Sequence, residues 1–369
     1  MENQPLTFND NAVIAINENE VVITLDERMV RITIKKKSFK MIQYIVDNKI
    51  NLQQILNSNL VELITFIKKL NFNDILLSEN ENEILQYGVI TRPLRINIDT
   101  KPIPDIKSSK WCFFGAPVDF ANDPPRSPSS GPYVFRKIGS SNHKMIDIGD
   151  ISYSTIDNIY RFGDKVMHIV NRITTNDNKF IMIGGDHSLT YFTLKEASKK
   201  YSDIILIQFD AHSDIDTNKD KKNNFLYHAN FVSKLIDEKS ISGAIQIGVR
   251  ERTINYEESY IIDNNIIQIP GSYSEKYEAE ISKKIKGKNI YITFDADSLD
   301  PKAFPHVTTP LDGGMNKKDV LSFIKTIKNI DCNIIGADIM EFTCGFDKTG
   351  KPFNKELKIL EDIVQEIIN

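Results

Sequence analysis

The run Ile204-Ile-Leu-Ile-Gln-Phe-Asp-Ala-His-Ser-Asp214 decides the fold. Its first six residues are almost wholly apolar, as a strand covered on both faces requires, and at Asp210 the pattern turns abruptly polar. The same grammar recurs twice. Phe180-Ile-Met-Ile183 leads into Gly184-Gly-Asp-His-Ser188, and Ile290-Tyr-Ile-Thr-Phe294 leads into Asp295-Ala-Asp297. Three probable strands therefore end in histidines and aspartates. Carboxylates crowded in a partly buried site repel one another, so such a cluster asks for a multivalent cation. Hard oxygen donors mixed with imidazole suit Mn²⁺ better than a thiolate-type zinc site.

Working outward, strand-like runs at 111–115, 180–183, 204–209, 244–249, 289–294 and 333–337 alternate with helical patterns. That alternation predicts a mainly parallel α/β sheet covered by helices on both sides. Sheets of this kind bind ligands beyond the carboxyl ends of their strands, where the Asp/His segments fall.

The N-terminal 80 residues read differently. Val21, Ile23 and Leu25 alternate with other residues, as do Val30, Ile32 and Ile34, and Asp26-Glu-Arg-Met29 can turn a hairpin between them. The period then becomes helical. Phe39, Ile42 and Val46 share a face, followed by Leu52, Ile55 and Leu56, then Leu60, Leu63, Ile64 and Ile67; Ile75-Leu-Leu77 closes the unit. Residues 81–107 are polar, carry Pro93, Pro102 and Pro104, and read as a linker. The chain thus divides into a small winged-helix-like α+β domain (1–80), a linker (81–107) and a large α/β domain (108–369).

Bulk properties exclude several classes. A net charge of -4 leaves no basic footprint for nucleic acid. No apolar stretch spans a bilayer, and the N-terminus lacks a signal-peptide pattern. Cys112, Cys332 and Cys344 lack metal-ligand spacing and read as reduced thiols of a cytoplasmic protein.

Within the cluster, Asp210, His212 and Asp214 stand at alternate positions and can point at one site, and Asp295 and Asp297 repeat the spacing. A carboxylate can bridge two cations. Two ions roughly 3.5–4 Å apart hold a bridging water whose pKa falls towards about 7. The plainer readings are a strand-to-helix turn capped by Asp186 or Ser188, and a surface Asp-X-His pair.

These segments, with Thr293-Phe-Asp-Ala-Asp-Ser-Leu-Asp-Pro301, resemble the three signatures of the ureohydrolases, the arginases and agmatinases. The resemblance runs from about Trp111 to the C-terminus and takes in Gly131-Pro132 with Arg136, Thr309-Pro310, Gly313-Gly314 and Asp338-Ile-Met-Glu341. It implies a three-layer α/β/α arginase-like domain with two Mn²⁺ per subunit. His187, Asp210, Asp214 and Asp295 would bind one ion, and His212, Asp210, Asp295 and Asp297 the other, with Asp210 and Asp295 bridging. A hydroxide held between the ions would attack the guanidinium carbon. The resemblance makes Glu341 the guanidinium-binding carboxylate, His228 the proton shuttle and Asp297 the donor to the leaving amine, with Thr309 at the substrate. Urea and a primary amine would result.

The departures bear on the substrate. Arginases hold the α-carboxylate of arginine partly through an Asn where this chain has Asp216, and its α-amino group through an Asp where this chain has Thr253, beside Glu251. Free arginine is therefore disfavoured. The N-terminal pattern resembles the peptide-recognition (RRE, winged-helix-like) domains of enzymes that modify ribosomally made peptides, which add a leader peptide to a sheet edge. Combined, these imply a peptide arginase that turns arginine side chains of a precursor peptide into ornithine. The alternatives are an agmatinase or other small-guanidine hydrolase with an N-terminal oligomerisation unit, a DNA-binding winged helix using Lys35-Lys-Lys37 and Lys40, and a metal-binding scaffold without activity. Family members assemble as trimers or hexamers, which implies a homo-oligomer.

Overall fold

The computed structural model describes residues 6–8, 13–16, 20–25, 30–50, 54, 76–78, 99–100, 111–120, 128–138, 145–151, 157–216, 225–251, 255–343 and 354–369. Two compact units emerge: Met1–Ile90 with Ser152–Thr155, and Thr91–Ile151 with Ile156–Asn369.

In the first unit, β1 (Leu6–Phe8) pairs antiparallel with β5 (Leu76–Ser78). Strands β2 (Val13–Ile16), β3 (Glu20–Leu25) and β4 (Val30–Lys35) form an antiparallel sheet in that order. The expected hairpin is present in its strands, with Leu25 opposite Val30; its turn, 26–29, lies outside the described residues. Helix α1 (Lys36–Asp47) buries Phe39, Ile42 and Ile45, and Val21, Ile23 and Ile34 of the sheet are buried too. The spacing had pointed to Val46 as the third apolar contact; Ile45 takes that place and Val46 is half-buried. The helices expected at 52–56 and 60–67 lie outside the described residues apart from helical Gln54; the described residues of the unit show two small antiparallel sheets and the helix α1.

The second unit is one parallel sheet. Its strands are β6 (Asp99–Thr100), β7 (Trp111–Ala116), β8 (Met145–Asp150), β9 (Lys179–Gly184), β10 (Ile204–Phe209), β11 (Gly243–Ile247), β12 (Ile267–Ile269), β13 (Asn289–Asp295) and β14 (Asn333–Met340), in the order β12-β11-β10-β13-β14-β9-β7-β8-β6. Every neighbouring pair is parallel. Ile205, Ile207 and Phe209 face one helical layer with Ile290, Ile292 and Phe294, while Leu206 and Gln208 face the other. The first layer holds α2 (Gly131–Ile138), α7 (Glu278–Ile285), α8 (Lys317–Asn329) and α9 (Asn354–Ile368). The opposite layer holds α3 (Ile159–Thr175), α4 (Leu189–Ala197), α5 (Phe231–Asp237) and α6 (Asn255–Asp263). Three layers follow, as the sequence implied.

Strand β8 was not foreseen, because Met145-Ile-Asp-Ile-Gly-Asp150 breaks its apolar run with acids and a glycine. Burial raises the Asp147 carboxyl, and buried Arg136 of α2 meets it at 2.8 Å and also pairs with Asp150, so the neighbouring helix supplies the strand's counterion. Within the stretch read as a linker, Asp99 and Thr100 pair with Ile146 and Asp147 and add a short ninth strand.

Candidate metal centre

Parallel pairing brings the carboxyl ends of β9, β10, β13 and β14 to one edge, and their following segments supply the Asp/His cluster. The segment after β9 is stitched to the end of β7: Gly185 donates its N–H to Ala116 O and Asp186 to Val118 O. A Cβ on Gly185 would lie 1.8 Å from Val118 O, so this approach requires glycine. Asp186 accepts from the N–H and hydroxyl of Ser188 and from the N–H of Phe120. The turn reading of this pentapeptide is thus compatible with a ligand role, since the turn is what presents His187 to the aspartates.

His187 Nδ1 lies 3.3 Å from Asp210 Oδ2, 3.4 Å from Asp214 Oδ2 and 3.1 Å from Asp295 Oδ2. His212 Nδ1 lies 3.6 Å from Asp210 Oδ1 and 3.1 Å from Asp297 Oδ2. The donor atoms form two groups, His187–Asp210–Asp214 and Asp210–His212–Asp297, each within 4.8 Å. Asp210 joins both, one oxygen to each side. Asp295 reaches the His187 side, and its other oxygen accepts the N–H of Asp297 at 2.8 Å. Asp214 and Glu341 adopt left-handed backbone with φ of 52° and 59°, a conformation that costs a non-glycine residue free energy and here aims two acidic side chains.

Beneath the ligands one row of the sheet is polar. Gln268, Gln246, Gln208, Thr293 and Asp338 stand directly opposite one another across β12, β11, β10, β13 and β14. Asp338 accepts from the hydroxyls of Thr190, Tyr291 and Thr293. Because the Thr293 proton goes to Asp338, the 2.8 Å contact from His187 Nε2 makes that nitrogen the donor. His187 Nδ1 is thereby left with a lone pair aimed at the aspartates, as a ligand must be.

Electrostatics supports the same use. Burial and the neighbouring charges of Asp297, Asp210 and Glu341 push the Asp295 carboxyl well above the usual range. Burial with the Asp210 charge does the same to Asp214. Burial opposes ionisation of Asp210 as well, but its hydrogen bonds with His212, from ring and backbone, prevail and hold it down to about 2. Burial likewise works against a charged His212, yet its bonds to Asp210 and Asp297 push it up to about 11. Two buried carboxyls forced upward beside a shared acid mark a site short of positive charge.

The other expected residues surround this centre. Buried Glu341 accepts the His187 N–H at 2.8 Å and the Thr308 hydroxyl at 2.9 Å, while burial and then Asp186 drive its carboxyl up. His228 opens the turn before α5; burial lowers its pKa, and its Nδ1 has no hydrogen-bond partner among the described residues. Asp216 accepts the Tyr227 hydroxyl. Thr309, expected at the substrate, puts its hydroxyl on Asp297 Oδ2 at 3.1 Å. Thr253 lies outside the described residues.

Several contributors were missed. Thr308 reaches Glu341 and Arg250 donates to the carbonyls of Asp297 and Leu311, while Glu251, noted only as a neighbour of Thr253, accepts the Ser213 N–H. Gln208 donates to Asp210 at 2.8 Å and to Asp214 at 3.1 Å. Its sequence signal was an amide inside an otherwise apolar strand.

The donor chemistry fits a pair of divalent cations. Asp210, Asp214, Asp295 and Asp297 offer hard oxygens and His187 and His212 one imidazole each, while no cysteine enters either group. A profile of the arginase family matches residues 109–367. The agmatinase of Sodalis glossinidius (strain morsitans) is 26% identical over 282 residues, covering 71% of this chain and 86% of the relative. The crystal structure of a putative agmatinase from Clostridium difficile superposes with a TM-score of 0.60 at 27% identity, covering 70% of this chain and 96% of that one. The arginase of Bacillus subtilis shares the fold, with a TM-score of 0.58 at 20% identity over 71% of this chain and 99% of that one. With the family match spanning well over half its length, the chain belongs to the arginase family, hydrolases acting on guanidino C–N bonds.

Proposed function

We propose that this chain is a binuclear manganese ureohydrolase that splits a guanidinium group into urea and a primary amine, with agmatine or a related small guanidine as its substrate. The carrying observation is Asp210, whose two oxygens face His187 and His212 and so join the two donor groups. His187, Asp210, Asp214 and Asp295 would hold one Mn²⁺; His212, Asp210, Asp295 and Asp297 would hold the other. When bound, the pair supplies a water acidic enough to serve as a nucleophile near neutral pH.

The remaining residues do the binding and proton work. Glu341 keeps lone pairs beyond those taken by His187 and Thr308, and would fix the planar cation by charge-assisted hydrogen bonds. A carboxyl pushed upward by burial gains most from a cation laid against it. His228, kept neutral by burial, can take a proton on Nδ1 and pass it on. Asp297, steadied by Thr309 and by the Ala211 N–H, would deliver a proton to the leaving amine.

Asp216 supports the substrate choice, since a carboxylate there repels a substrate carboxylate but not a second cation. The agmatinase relatives point the same way and reverse the order of the sequence expectations, which set peptidyl arginine first. The peptide reading keeps one specific support. The family match begins at residue 109, leaving the unit Met1–Ile90 outside it. Its sheet ends in β2 and β4 among the described residues, edges to which the leader of a ribosomally made precursor peptide can add a strand in the RRE manner. A reducing cytoplasm fits the unpaired thiols of Cys112 and Cys332, and no described helix is long and apolar enough to cross a membrane. A homo-oligomer, trimer or hexamer, completes the reading.

The test is Mn²⁺-dependent urea release from agmatine, free L-arginine and a peptide with arginine blocked at both ends. Release chiefly from agmatine is expected. Release chiefly from the blocked peptide establishes the second reading, and preference for free arginine overturns both substrate assignments. No urea from any of the three, with Mn²⁺ bound, removes the ureohydrolase reading for these substrate classes.

A further inference from the structure

Strands β10, β11 and β12 each carry an Ile-Gln pair at the same register, which places Gln208, Gln246 and Gln268 in one line. Gln208 and Gln246 are fully buried, where an amide left without partners is destabilising. Their hydrogen bonds form a single directed chain. Gln268 Nε2 donates to Gln246 Oε1 at 2.9 Å, and Gln246 Nε2 donates to Gln208 Oε1 at 2.7 Å. Gln208 Nε2 then donates to Asp210 Oδ2 and Asp214 Oδ2. Those two oxygens are the ones that face His187 Nδ1.

Direction is fixed at both buried links. Gln208 must aim its NH₂ at the carboxylates, because a flipped amide would set its oxygen against two acids. Its Oε1 therefore needs a donor, and Gln246 supplies one. Gln246 cannot flip in turn, since its NH₂ also donates to Ser213 O at 2.6 Å, and Ser213 immediately precedes Asp214. One amide thus grips the ligand segment by its backbone and, through Gln208, by its side chains.

Resting on the metal-centre reading above, we propose that the Gln268–Gln246–Gln208 chain is an oriented amide relay that sets Asp210 and Asp214 for the His187-side cation, with Gln246 as the positioning residue. The relay runs from the exposed edge strand β12 to the ligands. It acts on the His187-side cation through both Asp210 and Asp214, and on the other only through the shared Asp210, whose neighbours on that side are held by Ala211, Thr309 and the backbone grip of Arg250.

The experiment titrates Mn²⁺ into full-length protein stripped with a chelator, following each site by calorimetry and by the Mn²⁺ electron paramagnetic resonance spectrum. Gln246→Met keeps the volume and removes both donors. It should weaken the site built on Asp210 and Asp214 about 10- to 100-fold, the usual effect of removing an outer support, and the site that shares only Asp210 by no more than about threefold. Gln268→Met, at an exposed edge where water can replace the donor, should weaken the same site about threefold and tests the relay even if Gln246→Met fails to fold. A purely structural role would lower the melting temperature while leaving both affinities alone or shifting them equally. Two wild-type sites unchanged in both variants, or weakened alike, overturn the relay. A wild-type chain that takes up no Mn²⁺ removes the metal-centre reading instead, and the relay with it.

Discussion

Replacing Asp295 by asparagine should change stability in opposite directions depending on manganese. Without metal, the wild-type carboxyl either carries a charge among Asp297, Asp210 and Glu341 or holds a proton that an unfolded chain would release. Asparagine removes that conflict with little change of shape. Its oxygen can still accept the Asp297 N–H, and its NH₂ meets the His187 Nδ1 lone pair across the present 3.1 Å contact. Relieving a poorly compensated buried charge by a neutral isostere stabilises by about 1–2 kcal/mol, the lower part of the range for such replacements. At about 2–4 °C per kcal/mol, the metal-free variant should melt about 2–8 °C above wild type. The sign follows the raised folded-state pKa. The stability this carboxyl contributes is present below its unfolded pKa of about 3.9 and lost as pH rises, so the advantage of the variant should vanish near pH 4 and grow toward neutrality. With Mn²⁺ at a hundred times its dissociation constant, wild type gains about 2.7 kcal/mol for each site filled, whereas the variant has lost a ligand. The order of melting temperatures should therefore invert between chelator and Mn²⁺, as read by scanning calorimetry. A metal-free Asp295→Asn protein that melts below wild type, or one that keeps the full Mn²⁺-dependent gain, would refute the reasoning.

Three further outcomes are expected. Because His212 keeps its proton up to about 11 in the metal-free site, a cation must displace it, so apparent Mn²⁺ affinity should climb about tenfold per pH unit for each proton released between about pH 7 and 9; a flat profile by titration calorimetry would contradict this. Thr308→Val strips one donor from Glu341, a bond to a charged group worth about 1.5–3 kcal/mol, so kcat/KM for the guanidine should fall about 10- to 100-fold with Mn²⁺ content unchanged. A change under about twofold would show that Thr308 is not needed. Gly185→Ala drives a methyl group to 1.8 Å from Val118 O and should cost about 3 kcal/mol or more along with Mn²⁺ uptake; a wild-type melting temperature would show that the loop has room.

What was legible in the sequence was the chemistry that repeats at strand ends. Asp210, His212 and Asp214, then Asp295 and Asp297, alternate along the chain and follow apolar runs, so both spacing and context announced them. What was not legible depends on partners distant in sequence. Strand β8 looked too polar because its counterion, Arg136, sits eleven residues before Asp147 on a helix. Strand β12 has three residues, fewer than any periodicity needs. The two adjacent threonines show the limit at finer grain. The resemblance offered Thr309 alone for the substrate; the structure puts the Thr308 hydroxyl on Glu341 and the Thr309 hydroxyl on Asp297, a division the sequence does not display.

The same contrast separates the reaction from its substrate. The Asp/His cluster lies at the ends of buried parallel strands, where register fixes it and where a swap would leave charges or amides unpaired. In the proposed reading, selectivity would come from the segments beyond, where Asp216 accepts the Tyr227 hydroxyl and Glu251 accepts the Ser213 N–H. Both add negative charge beside a centre already rich in it. A zwitterionic amino acid would bring a carboxylate into that field and be penalised, whereas a guanidine with a second amine would bring a second cation and be favoured. An arginine inside a peptide has lost its carboxylate but gained no cation, so it escapes the penalty without the gain. On charge alone, then, a small dicationic guanidine should exceed a blocked arginine in affinity, and the difference should shrink with added salt as screening weakens both carboxylates.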